Sequence, residues 1–280
     1  MVSKSFAVLG SPIEHSKSPL IHSTAYGVLG LDWTYGSFEV RKGGLPRFVE
    51  NEGLEFAGFS VTMPLKDEAF RLSTQLNQTA ILTGAVNTLV RVDSGWSGYN
   101  TDVFGIVQAV RAANLPSLQS FLIIGSGATA TSAVVAVSEL APNAQVEIFA
   151  RNAEARGNLV QFAKKLGLQA KSIANLKNAA RASDLVIATL PSGALDDPAK
   201  KLSGFRGFSP LGAILDVAYS PWPSNFASHW LSAHKPTISG LEMLMWQAIA
   251  QLRIFISGDE QLPLVNEIAV AEAIRHALEI

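Results

Sequence analysis

The chain has 280 residues and a mass of 29.8 kDa, enough for two domains at about 150 residues each. Apolar residues make up 48% and charged residues 16%, a globular composition, and the net charge of −1 lacks the basic footprint of a nucleic-acid binder. Cysteine is absent, which excludes disulfides, thiolate metal sites and a thiol nucleophile, and is compatible with a reducing cytoplasm. The first apolar stretch ends at Gly10 and Pro12, too short for a signal peptide, and no run of about 18 apolar residues marks a membrane span.

In chain order, short apolar runs closed by Gly, Pro or Ser predict strands at Phe6–Leu9, Ala57–Val61, Ala85–Arg91, Phe121–Ile124, Val146–Ala150, Leu185–Leu190 and Ala213–Val217. Helical spacing predicts helices over Pro19–Leu29, Val103–Ala113 and Thr131–Leu140. Leu241–Ile256 and Leu264–Leu278 read as two further helices with no strand after them. Strands alternating with helices predict an α/β fold with a largely parallel sheet. The expected boundary lies near Asp102–Val103, where a Gly-rich segment gives way to a helical pattern.

Phe121–Ile124 runs straight into Gly125-Ser126-Gly127-Ala128-Thr129-Ala130 and then a helix and a second strand. This is the G-x-G-x-x-A form of the dinucleotide fingerprint in its strand–turn–helix setting. Its glycines allow a tight turn and a close backbone approach to a pyrophosphate, which the helix N-terminus attracts. An ordinary strand–helix turn is the alternative. At the tip of the second strand an NAD enzyme usually carries an acid; here stand Phe149-Ala150-Arg151-Asn152. Arg151 offers a guanidinium fork suited to the 2′-phosphate of NADP, or is a solvated arginine, and Glu154 follows three residues later.

The N-terminal half carries three polar segments. Gly10 to His22 includes Ser16, Ser18 and Pro19, where Ser18-Pro19 fits an N-cap serine followed by a proline at the first helical position. The same helix start, flanked by two hydroxyls, also suits a carboxylate. His15 and His22 have no partner at metal-ligand spacing and are expected to pack or cap, so no metal is expected. Gly58 to Lys66 reads as a strand, a turn and a helix opened by Pro64, with Lys66 in a first turn where the helix dipole disfavours a cation. Gly84 to Thr88 and Gly98 to Asp102 supply amides, hydroxyls and a carboxylate. Asp102 serves as an N-cap or as an acid–base partner for Lys66.

In this order the segments resemble the shikimate dehydrogenase family over nearly the whole chain. Gly10, Pro12, Ile13, His15, Ser16, Ser18 and Pro19 match its Gly-x-Pro-Ile-x-His-Ser-x-Ser-Pro signature, and Val61 to Lys66 match Val-Thr-x-Pro-x-Lys. Gly84 to Thr88, Asn100 to Asp102, Asp216 to Pro221 and Gly240 to Gln247 match its later motifs. The resemblance implies an N-terminal α/β substrate domain (1–102), a Rossmann dinucleotide-binding domain (103–240), and C-terminal helices (241–280) packing back on the first. It implies that Ser16 and Ser18 bind a substrate carboxylate, and that Thr62, Asn87, Thr101, Tyr219 and Gln247 bond hydroxyls or carboxylate. It makes Lys66 and Asp102 the catalytic pair, with Val217 and Gly240 beside the nicotinamide and Gly125, Ser126, Gly127, Ala128, Thr129 and Arg151 on the rest of NADP. Three departures stand out: Ser60 where many members carry Asn, Ala130 in place of a third loop glycine, and Ala150 where Asn often precedes the arginine.

The implied reaction is reversible NADPH-dependent reduction of 3-dehydroshikimate to shikimate in the cytoplasm, by a monomer or homodimer with no nucleic-acid or membrane partner. The rivals are an NAD-dependent quinate/shikimate dehydrogenase and a sensing module that binds without turnover. Retention of both Lys66 and Asp102 argues against the sensor.

Overall fold

The computed structural model describes residues 3–191, 193–194 and 208–280. The chain divides into two compact units: Met1–Gly105 with Leu244–Ile280, and Ile106–Met243.

The first unit is built on a six-stranded sheet of order β2-β1-β3-β5-β6-β4. Here β1 is Lys4–Gly10, β2 Trp33–Glu39, β3 Gly58–Val61, β4 Gln75–Leu76, β5 Thr88–Val92 and β6 Gly95–Tyr99. β1 pairs in parallel with β2 and β3, while β5 runs antiparallel to β3 and β6. The carboxyl ends of β1, β3 and β6 and the start of β5 therefore meet at one edge of the sheet. Phe6 to Gly10 are all buried, as an unbroken apolar strand covered on both faces requires. Leu9, Phe59, Val61, Leu65, Leu89 and Trp96 form the core beside it.

The chain after Leu244 completes this unit. The Phe255 ring lies 4.4 Å from that of Phe6, and helix Glu267–Leu278 packs on helix Ser18–Leu29. Arg253 grips Glu267 with a two-pronged fork, Nη2 to Oε1 at 2.5 Å and Nε to Oε2 at 2.7 Å, which fixes the last two helices to each other.

The second unit holds an all-parallel sheet: β7 Ser120–Ile124, β8 Gln145–Phe149, β9 Gln169–Ser172, β10 Leu185–Ala188, β11 Ala213–Asp216 and β12 Thr237–Ser239. Its order is β12-β11-β10-β7-β8-β9. The winding reverses between β7 and β10, the crevice at which sheets of this topology bind dinucleotides.

Five strands went unpredicted: β2, β4, β6, β9 and β12. β2 is a partly exposed edge strand without a clean apolar period, β4 has two residues, and β6 is glycine-rich. A Cβ on Gly98 would stand 2.2 Å from the Ser73 hydroxyl oxygen, so β6 carries glycine where Ser73 closes on it. The strand expected over Ala85–Arg91 begins later, at Thr88. Helices Leu45–Glu50, Gln78–Thr83, Ala153–Lys165, Leu176–Ala182 and Ser228–Ser232 were also not foreseen. Among the described residues no helix is long and apolar enough to cross a membrane.

Candidate active site

At the edge of the first unit, Gly10 lets the Ser11 loop close on the turn after β3. A Cβ on Gly10 would lie 2.3 Å from the Thr62 methyl and 2.8 Å from the Met63 carbonyl oxygen, and Ser11 N donates to that oxygen at 2.9 Å. The helix that follows starts at Ser18, with Lys17 at the cap position and no side-chain cap bond. This corrects the expected N-cap role of Ser18, whose hydroxyl is not used to close the helix; its backbone N–H donates to Ser16 Oγ at 3.3 Å. Pro19 still sits in the first turn, where a missing N–H costs nothing.

His22 is buried in the same helix, its Nδ1 2.9 Å from the Ser18 carbonyl oxygen and its ring stacked on Tyr35 at 4.0 Å. Burial lowers its pKa to about 4, against a smaller upward push from the Ser18 bond. His15 is exposed, and among the described residues no three metal-binding side chains cluster.

Lys66 is the first residue of helix Lys66–Leu72; the expectation of a helix opened by Pro64 is corrected, since Pro64 lies before the cap residue Leu65. Asp67 and Glu68 put acids in that first turn, although the Glu68 carboxylate accepts from Gly43 N at 2.6 Å and Asp67 pairs with Arg71. The Lys66 chain instead turns to Asp102, Nζ to Oδ2 at 2.5 Å, with the two side chains 14% and 6% exposed. So little water makes each the other's counter-ion. Asp102 opens helix Asp102–Ala112, where the dipole favours a carboxylate. It is not the cap that sequence allowed: Asn100 Oδ1 accepts from Asp102 N at 3.0 Å, which frees the carboxylate for Lys66.

Asn87, Thr101 and Gln247 converge on this pair. Asn87 Nδ2 donates to Asp102 Oδ1 at 2.8 Å and to Thr101 Oγ1 at 2.9 Å, and lies 3.3 Å from Gln247 Oε1. Gln247 reaches in from helix Gly240–Ser257 and is buried. Thr62, Ser16 and Ser18 lie on the same sheet edge without a hydrogen bond to this network. Four participants escaped assignment to the site from sequence: Tyr35, Ser60, Thr88 and Gln251. Gln251 had a readable signal, since it stands one helical turn after Gln247 and shares its face.

In the second unit, the fingerprint turn lies at the end of β7. Gly125 takes φ +128°, and a Cβ there would stand 2.3 Å from Thr189 Oγ1, so glycine is required. Gly127 caps helix Ala128–Leu140, and a Cβ on it would meet no atom within 4 Å. Open space beside unpaired helix-start N–H groups suits a pyrophosphate. Ala130, in the place of the third glycine, is fully buried. Arg151 is exposed at the tip of β8, and Asn152 caps the next helix through Ala155 N at 3.0 Å. Val217 and Gly240 are brought together: a Cβ on Gly240 would stand 2.2 Å from the Val217 carbonyl oxygen. Tyr219 lies half-buried on the loop after β11, in the second unit.

A classically wound nucleotide sheet joined to a unit that buries a Lys–Asp pair among amides and hydroxyls defines a two-domain dehydrogenase. Residues 8–89 match the family model described as the shikimate dehydrogenase substrate binding domain. The chain is 34% identical to the shikimate dehydrogenase (NADP(+)) of Nitrosopumilus maritimus, over 90% of this chain and 93% of that protein. The chain belongs to the shikimate dehydrogenase family. The crystal structure of the Mycobacterium tuberculosis enzyme superposes with a TM-score of 0.83 at 36% identity, covering 99% of each chain. That of the Thermus thermophilus enzyme in complex with NADP(H) and shikimate gives 0.78 at 29% identity, over 98% of this chain and 99% of that one.

Proposed function

We propose that this chain is an NADP-dependent shikimate dehydrogenase that interconverts 3-dehydroshikimate and shikimate. The observation that carries the reading is the buried contact between Lys66 and Asp102, in a member of this family. Gly125, Ser126, Gly127, Ala128 and Thr129 would hold the pyrophosphate of NADP, Arg151 would hold its 2′-phosphate, and Val217 and Gly240 would border its nicotinamide. When bound, that cofactor supplies or accepts the hydride.

Lys66 works on the oxygen of the reacting carbon. As an ammonium it stabilises the developing alkoxide and delivers the proton; in shikimate oxidation it takes that proton back. Asp102 holds the ammonium in place and accepts a bond from a substrate hydroxyl. Asn87, Thr101 and Gln247, with Thr62 and Tyr219, orient the ring hydroxyls, and Ser16 and Ser18 receive the carboxylate. We place the enzyme in the cytoplasm, acting as a monomer or homodimer.

The test is an assay of the purified protein with shikimate and with quinate, each with NADP and with NAD, followed by nicotinamide absorbance. The expected result is turnover of shikimate with NADP, at a higher kcat/KM than for quinate. Quinate carries an added tertiary hydroxyl for which the sequence offers no clear extra partner, so equal efficiency would move the chain to the broader quinate/shikimate class. Tight binding without turnover would make it a sensor.

A further inference from the structure

Behind Asn87 lies a chain of hydrogen bonds with no part in the roles assigned above. Tyr35 OH donates to Ser60 Oγ at 2.5 Å, and Ser60 Oγ donates to Gln251 Oε1 at 2.8 Å. Gln251 Nε2 donates to Thr88 Oγ1 at 3.0 Å, and Thr88 Oγ1 donates to Asn87 Oδ1 at 2.8 Å. Asn87 Nδ2 then donates to Asp102 Oδ1, whose other oxygen takes Lys66. Ser60, Thr88, Gln251, Asn87 and Asp102 are at most 4% exposed, so water does not substitute for any of these partners.

The direction of the chain is set by two backbone groups. Thr101 N, which can only donate, bonds Asn87 Oδ1 at 2.9 Å. That forces the Asn87 amide nitrogen toward Asp102. The Asn87 carbonyl oxygen, which can only accept, receives Gln251 Nε2 at 3.3 Å. That forces Gln251 Oε1 toward Ser60. Ser60 must then donate to Gln251 and accept from Tyr35, and Thr88 must accept from Gln251 and donate to Asn87. Burial pushes the Tyr35 phenol up, so it remains a donor. Every proton in the chain thus points toward one carboxylate.

We propose that Gln251, backed by Ser60 and Tyr35, is a positioning residue that joins the Thr101 N–H in holding the Asn87 amide against Asp102 and so aligns the carboxylate that carries Lys66. The inference rests on the reading of Lys66 and Asp102 as the acid–base pair. A carboxylate with one fixed donor on each oxygen does not rotate, and the lysine nitrogen stays where it is held. Loss of the Asn87 donor leaves Lys66 alone on Asp102, free to swing with it. Ser60 matters because a short hydroxyl fits between Tyr35 and a glutamine that comes from a helix 191 positions away in sequence.

The test uses the full-length protein and single-turnover oxidation of shikimate by NADP. Gln251→Leu fills the space without polar atoms, and Gln251→Glu keeps the acceptor facing Ser60 but removes the donor facing Thr88. Both should slow the chemical step roughly tenfold, about the worth of one hydrogen bond, with the KM for NADP unchanged. Ser60→Ala should cost less, about threefold, and Ser60→Thr should restore the rate because the hydroxyl returns. A purely structural role predicts a lower melting temperature with an unchanged rate, which would overturn the proposal. A crystal structure of Gln251→Leu decides independently of activity. An Asn87 Nδ2 drawn away from the 2.8 Å it keeps to Asp102 Oδ1 supports the proposal, and an unmoved Asn87 overturns it. If the wild type does not oxidise shikimate, the functional reading fails and the position of Asn87 in the variant still decides this one.

Discussion

The two units handle polar chemistry in opposite ways. In the first, the candidate catalytic groups are buried side chains that satisfy one another: Lys66 on Asp102, Asp102 on Asn87, Asn87 on Thr101. In the second, the candidate nucleotide turn offers backbone N–H groups and the open space beside Gly127, and the candidate phosphate-binding side chain, Arg151, is exposed. A buried network couples chemistry to stability, because removing one member leaves a partner uncompensated. A backbone cradle with an exposed cation does not; it should be tunable in affinity and sensitive to salt.

The sharpest way to break this contrast is Lys66→Ala. It should lower kcat by roughly 10²–10⁴-fold, the usual worth of a positioned acid–base group, with a smaller change in KM for shikimate. It should also lower the melting temperature, since it strands the Asp102 carboxylate. Near-normal turnover in a folded variant removes Lys66 from the mechanism.

Next in size is an acid effect on the first unit. The folded-state pKa of His22, about 4, lies below its ordinary value of 6.5. The unfolded chain therefore binds more protons between those values, and the contribution of His22 is full above pH 6.5 and lost as pH falls through 4. It amounts to about 3 kcal/mol at most. Tyr26 and Tyr35, the titratable groups that face it, are both pushed upward by burial and stay neutral in that window. Denaturant midpoints at pH 7 and pH 4 should differ less for His22→Phe than for the wild type. An equal loss in both would assign the acid sensitivity to other groups.

Arg151→Ala should weaken NADP about 10–100-fold and leave NAD nearly unchanged. Raising the salt should narrow the wild-type preference for NADP, because the guanidinium is exposed. A wild type that prefers NAD, or a variant that loses both cofactors equally, removes Arg151 from the 2′-phosphate. The smallest effect is expected from a double Ser16→Ala, Ser18→Ala variant, with KM for shikimate up about tenfold. Because the cap residue is Lys17 and the only bond lost at the helix start is the long one from Ser18 N to Ser16 Oγ, 3.3 Å, stability should fall by no more than the ~1 kcal/mol of a lost N-cap. A stability loss with an unmoved KM would make both serines structural.

The second unit was the more legible in sequence because its logic is local. A strand, a glycine turn and a helix within Phe121–Leu140 state their own geometry, and the absent acid at Ala150–Arg151 is read from one short stretch. The motifs of the first unit were each visible, but their meeting was not. Lys66 and Asp102 are 36 residues apart, and only the mixed sheet, with β5 reversed, carries their segments to one edge. Ser18 and Asp102 were ambiguous because a helix start has the same sequence signature whether its side chain caps the backbone or faces away. Tyr35 carried no motif, on a partly exposed edge strand, and the only signal for Gln251 was its place one helical turn after Gln247 on a helix whose apolar spacing dominates its pattern.

The most direct test of the central claim is a double-mutant cycle on Lys66 and Asp102, read as kcat for shikimate oxidation with saturating NADP. A pair that works as one unit predicts that the double alanine variant is no slower than the worse of the two single variants. Losses that multiply, each residue contributing its own factor, would show that Lys66 and Asp102 act separately and contradict the account.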